Sequence, residues 1–125
     1  MKKGKLMILT CIVVLIALLL FLVSTFAKNR DKVIVEAVGF FSHFPLQATR
    51  QAIEDTCAKF GDKVKLTLYD ETKADGQEFM KSKGLSGHLP MKLLIDGKVS
   101  FSDFVDRDWT AEQLEKAITT ALESK

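Results

Sequence analysis

Cysteine is nearly absent from this chain: of 125 residues only Cys11 and Cys57 carry a thiol. Cys11 falls inside an uncharged apolar run and Cys57 in the polar remainder, so the two cannot meet and a disulfide framework is excluded. A lipoprotein signal is excluded as well, because its cysteine should close the apolar segment, whereas in "ILTC" it nearly opens it. Long runs of one charge are also missing. From Val33 onward 12 Lys and Arg stand against 15 Asp and Glu, a net charge of −3. The basic balance of the whole chain therefore comes from the flanks of the apolar run. Without a basic face to neutralise phosphates, nucleic acid is not an expected partner. No internal repeat or low-complexity stretch is present.

What is abundant is apolar sequence near the N-terminus. "LMILTCIVVLIALLLFLVSTFA", Leu6 to Ala27, holds no charge over 22 residues, and a helix of that length spans about 33 Å of hydrocarbon. Two readings compete. A cleaved signal peptide has a shorter apolar centre and a small-residue cleavage site, which Thr25 and Ala27 could supply. The length favours an uncleaved membrane anchor over residues 1–27. Lys2, Lys3 and Lys5 precede the span and Lys28, Arg30 and Lys32 follow it with Asp31 among them. That slight bias favours an inside N-terminus and an extracytoplasmic domain, periplasmic or at the cell surface. "KNRDK", residues 28–32, reads as a linker to a single domain over 33–125.

In that domain "KVIVEAVGF" alternates β-branched and apolar residues, predicting a strand from Lys32 to Gly39. From Pro45 the apolar positions Leu46, Ile53, Cys57 and Phe60 recur at helical spacing, with proline suited to the first turn and Gly61 to the C-terminal cap. "KVKLTLYD" predicts a second strand. "ADGQEFMKSKG" predicts a short helix with Asp75 as N-cap and Gly84 as stop. Asp96-Gly97 between "MKLLI" and "KVSFS" is a strong hairpin signal. A last helix follows Thr110, whose capping box with Gln113 and staple from Trp109 to Leu114 would start it; Leu114, Ala117, Ile118 and Leu122 form its apolar face. The acids Asp103, Asp106 and Asp108 lack the glycine and terminal glutamate of a calcium loop and read as a solvated approach to that helix. The expected architecture is an α/β fold of order β-α-β-α-β-β-α, with a four-stranded mixed sheet, helices on both faces and a right-handed crossover between the first, parallel pair.

The stretches "VIVEAV", "FFSHFP" and "GLSGHLPMKLLIDGK" together resemble the thioredoxin-like superfamily, and the resemblance covers essentially the whole domain. It implies a cis proline before the third strand, a role that Pro90 fits. It also places the family's CxxC window on Ser42-His43-Phe44-Pro45, six residues beyond Glu36, which matches a buried strand carboxylate of the family. Here the chain departs from the family's pattern. Serine and proline stand where thiol exchange needs two sulfurs, and Cys57 lies on the core side of its helix, where a cysteine acts as a small hydrophobe. Glu36 is then either a buried acid without its family task or a strand glutamate reaching solvent.

The family's geometry would bring two loops together around a groove made of Ser42, His43, Phe44, Gly87, His88, Leu89 and Pro90. Phe40, Phe41 and Phe44 crowd the first loop; some must enter the core, and any left outside would form an apolar patch suited to binding. The reading that follows is a membrane-tethered, redox-inactive module that binds a protein partner or a subunit of a membrane complex, with no catalytic residue and no cofactor. Two alternatives stand beside it. One is an enzyme related to thiol-disulfide oxidoreductases, resting on the family likeness alone. The other is a copper or zinc protein using His43 and His88.

Overall fold

The computed structural model describes residues 2–86, 91–102 and 111–125, with residues 25–30 described by backbone alone. The chain forms two units, Met1–Asp31 and Lys32–Lys125.

The first unit is a single helix, α1 (Lys2–Arg30). Within it Lys2–Ser24 is long and apolar enough to cross a membrane. Its hydroxyls are satisfied inside the helix, Thr10 Oγ1 donating to the Leu6 carbonyl at 2.8 Å and Ser24 Oγ to that of Phe21 at 2.9 Å. A helix in hydrocarbon would need that economy, since the medium offers polar groups no other partner. The helix runs three residues past the expected boundary at Ala27. Lys and Arg are good helix formers, and the linker shrinks to Asp31 and Lys32.

In the second unit β1 (Val33–Gly39), β2 (Val64–Asp70), β3 (Met91–Ile95) and β4 (Lys98–Ser102) form one sheet in the order β2-β1-β3-β4. β1 pairs in parallel with β2 and antiparallel with β3, which pairs antiparallel with β4. Helices α2 (Phe44–Ala58), α3 (Ala74–Ser82) and α4 (Ala111–Glu123) complete the expected order. The fold is therefore α/β with a mixed four-stranded sheet and flanking helices.

Strand alternation sorts the core into two layers. Val33, Val35 and Ala37 join Leu93 and Ile95 beneath Leu46, Ile53 and Cys57 of α2 and Leu114 and Ile118 of α4. On the opposite face Val38 and Leu94 meet Phe79 and Met80 of α3, with Tyr69 and Leu85 at the margin. Each fully buried aliphatic side chain contributes roughly 1.5–3 kcal/mol, and the larger layer explains why α2 and α4 share one side.

The Asp96-Gly97 turn joins β3 to β4 with both residues at positive φ, 49° and 79°, the pairing that a tight two-residue hairpin needs. Asp96 does more than turn the chain. Its N–H donates to the Ile34 carbonyl at 2.8 Å, and its Oδ1 accepts the Ile34 N–H at 2.9 Å. Its Oδ2 lies 3.0 Å from Lys125 Nζ.

Two expected caps are corrected: α2 ends at the C-cap Lys59, and Gly61, two residues further on at φ 57°, opens a short 3-10 turn instead. The N-cap of α3 is Lys73, extended at φ −99° and ψ 157°, and makes no side-chain cap bond. Asp75 is already inside the first turn, where its Oδ1 accepts the N–H of Gly76 at 2.9 Å. Its charge still favours that end of the helix. Gly84 ends the segment at φ +66°, as its position predicts. The capping box of Thr110, the staple from Trp109 and the acids Asp103, Asp106 and Asp108 lie outside the described residues.

Candidate functional site

β1 and β2 run in parallel and end side by side, Gly39 opposite Asp70. Ligand sites of α/β sheets favour this carboxyl edge of the strands, where the connections to the next helices gather. The turn from β1 into α2 is closed by the His43 N–H, which donates to the Phe40 carbonyl at 2.9 Å. His43 is the N-cap of α2 in an extended conformation and gives no side-chain cap bond. Its ring stacks on Phe40, with centroids 5.4 Å apart and planes 10° from parallel. Pro45 falls in the first helical turn, where its missing N–H costs nothing.

The three phenylalanines of the turn divide. Phe41 is buried and Phe40 packs half-buried against the core. Phe44 is 82% exposed. In the described part of the second unit only one other large hydrophobic side chain, Val99, is exposed, at 49%. Ser42 and His43 are exposed with Phe44.

A second strand end fastens this turn. The Ser42 N–H donates to Asp70 Oδ2 at 3.3 Å. The other oxygen of Asp70 accepts from the Thr72 N–H at 2.9 Å and from its hydroxyl at 2.6 Å. The Glu71 N–H donates to the Gly39 carbonyl at 3.0 Å. Burial raises the Asp70 pKa, but the hydrogen bonds from Thr72 and Ser42 outweigh it and hold the carboxyl below its ordinary value. Beside this link lies a polar cleft of about 460 Å³, lined among others by Ser42, Gln47, Arg50, Glu54, Asp70 and Lys73. Arg50 reaches Glu54 within it at 3.1 Å. A larger and more apolar hollow of about 710 Å³ lies between β4 and α4 and contains none of the groove residues named in the sequence.

Of the groove residues named above, Ser42, His43 and Phe44 come together at the head of α2. Gly87, His88, Leu89 and Pro90 lie outside the described residues. Met91, which follows them, pairs with Gly39 at the same end of the sheet. Glu36 stands apart from Ser42. Alternation turns it away from Val35 and Ala37 toward the α3 side, where its carboxylate lies 3.8 Å from Lys83 Nζ and its side chain is 17% exposed. Lys83 also sits over the Phe79 ring, 5.7 Å from its centroid.

Cys57 is 4% exposed in the α2 layer. Burial pushes its thiol up to about 11, so at neutral pH it carries no thiolate, the form that attacks disulfides. Among the described residues no three His, Cys, Asp or Glu side chains are grouped to hold a metal ion. Asp70, Arg50 and Lys73 were not singled out in the sequence. Asp70 had a readable signal, since Asp-x-Thr after a strand is the pattern of an Asx turn. Compared with protein-family models and with curated proteins, the chain matches none of them.

Proposed function

We propose that the second unit is a thioredoxin-like domain without its redox pair. On this reading α1 anchors it in a membrane with the domain outside the cytoplasm, and it works by holding a protein partner or a subunit of a membrane complex rather than by catalysis. The element order and the strand order β2-β1-β3-β4 support the resemblance. Fold alone does not fix function, so the weight rests on the site. Phe44, 82% exposed at the head of α2 beside the Ser42–Asp70 cleft, carries the reading. An aromatic ring left in water at a rigid helix start is the kind of anchor that interfaces bury at their centre. The burial of Cys57 weighs against the oxidoreductase alternative.

Affinity recovery from membranes, with the wild-type chain and with His43→Ala/Phe44→Ala as baits, tests the proposal. A specific protein held by the wild type and lost from the variant supports it. Equal recovery by both moves the working surface elsewhere and refutes this reading of the loop.

A further inference from the structure

We infer that the end of the sheet opposite the Ser42 loop is a docking surface for anionic lipid headgroups. The inference goes beyond the partner-binding reading and rests on α1 being a membrane anchor and on the leaflet that the domain faces carrying anionic headgroups. The domain is acidic as a whole, yet its lysines are not spread evenly. Lys63 and Lys65 stand at the start of β2, Lys32 immediately before β1 and Lys98 at the start of β4. The register Val33↔Val64, Ile34↔Lys65 and Ile95↔Lys98 puts them along one end of the sheet. Strand spacing spreads this row over about 14 Å, from the β2 edge to the β4 edge. A flat row of cations suits a flat anionic surface.

Acids adjoin these lysines in the chain: Asp31 precedes Lys32, Asp62 precedes Lys63, Asp96 stands two residues before Lys98, and Glu123 two before Lys125. Asp96, in the middle of the row, is already engaged through both oxygens, by the Ile34 N–H and by Lys125. Lys59 is likewise engaged, with Glu115 at 2.8 Å. Lys63, Lys65 and Lys98 are exposed and, among the described residues, make no ion pair.

Covalent connection supplies the reason for a lipid partner. Only Asp31 and Lys32 separate the last residue of α1 from the first of β1, and the three steps from Arg30 to Val33 reach at most about 11 Å. The row therefore begins within a short tether of the end of α1, and a bilayer spanned by α1 would lie within its reach, where an anionic surface attracts lysines. Each lysine held there favours the contact by about fivefold. Such a contact would leave Ser42, His43 and Phe44, at the far end of β1, free to meet a partner.

The test uses the full chain in nanodiscs of zwitterionic lipid, with or without phosphatidylglycerol, each carrying a headgroup-linked gadolinium chelate. Amide broadening at Lys63, Lys65 and Lys98 is expected to be stronger in the anionic discs than in the zwitterionic ones, where the tether alone sets it, and the excess should fall with added salt. Lys63→Gln/Lys65→Gln/Lys98→Gln should reduce it by about fivefold per lysine removed while the remaining amide shifts stay in place, and Ser42 and Asp70 should not broaden. Equal broadening in both lipids, an unchanged triple variant, or broadening at the Ser42 end overturns the inference. A chain that fails to co-purify with the disc overturns the anchor reading and this inference with it, which is distinct from failure of the partner reading.

Discussion

The backbone N–H of Ser42 and the carboxylate of Asp70, 28 residues apart in sequence, are joined at 3.3 Å. One acid thus fixes two connections, since its other oxygen holds Thr72 at the entry to α3. The exposed turn keeps its shape because the end of β2 grips it.

Asp70→Asn should therefore loosen that grip at a cost of about 1 kcal/mol, the usual net worth of a hydrogen bond to an exposed group. The sign of the pH dependence follows from the lowered pKa. The stabilisation is present above the ordinary value of 3.8 and is lost as pH falls below it through the folded-state value. Urea midpoints measured against pH should show the wild-type advantage over Asp70→Asn at neutral pH and its disappearance in acid. An advantage that persists in acid would contradict the assignment.

Gly76 packs against the end of β2, where a Cβ would run into the carbonyl oxygen of Asp70. Backbone on both sides leaves no flexible group to give way. Gly76→Ala should cost about 1–3 kcal/mol, lowering the melting temperature by roughly 4–8 °C per kcal/mol for a domain of this size. Calorimetry in detergent checks it.

Phe41 and Phe44 should separate stability from binding. Phe41→Ala empties a buried site and should cost about 3–5 kcal/mol, whereas Phe44→Ala removes a ring already in water and should stay within about 0.5 kcal/mol. If Phe44→Ala destabilises as much as Phe41→Ala, the ring is a core residue and the proposed contact surface loses its anchor.

Cys57 should resist thiol reagents in the folded chain at neutral pH and react once guanidinium unfolds it. Its raised pKa makes a second demand. The stabilisation it contributes is complete below the unfolded value of 9.0 and is lost as pH rises through about 11. Tyr69, raised from 10.0 first by burial and then by Glu36 and Asp75, adds loss of the same sign. Alkaline unfolding curves of Cys57→Ala should be flatter than those of the wild type, with the Tyr69 slope remaining.

The elements set by local chemistry were legible in the sequence. Alternation in "VIVEAV" and "VKLTLYD", the Asp-Gly hairpin and the stop at Gly84 each depend on residues within a few positions. What escaped were relations across the fold. Asp75 looked like a cap because its type suits the position, but α3 begins at Ala74 with Lys73 at the boundary, and Gly76 in its first turn fits closely against β2. The pairing of Glu36 with Lys83 and the grip of Asp70 on Ser42 join segments far apart in the chain, and pattern within one segment does not register them.

β1 precedes the other three strands of its sheet in the chain, yet it is central, with β2 on one side and β3 on the other. Its Val33, Val35, Ala37 and Val38 are fully buried only when both neighbours are in place. At typical elongation rates that wait lasts on the order of several seconds, during which a sticky ribbon remains unpaired. Nascent chains of this protein are therefore most vulnerable to aggregation before Met91 emerges, and a helper that shields apolar strands would act in that interval.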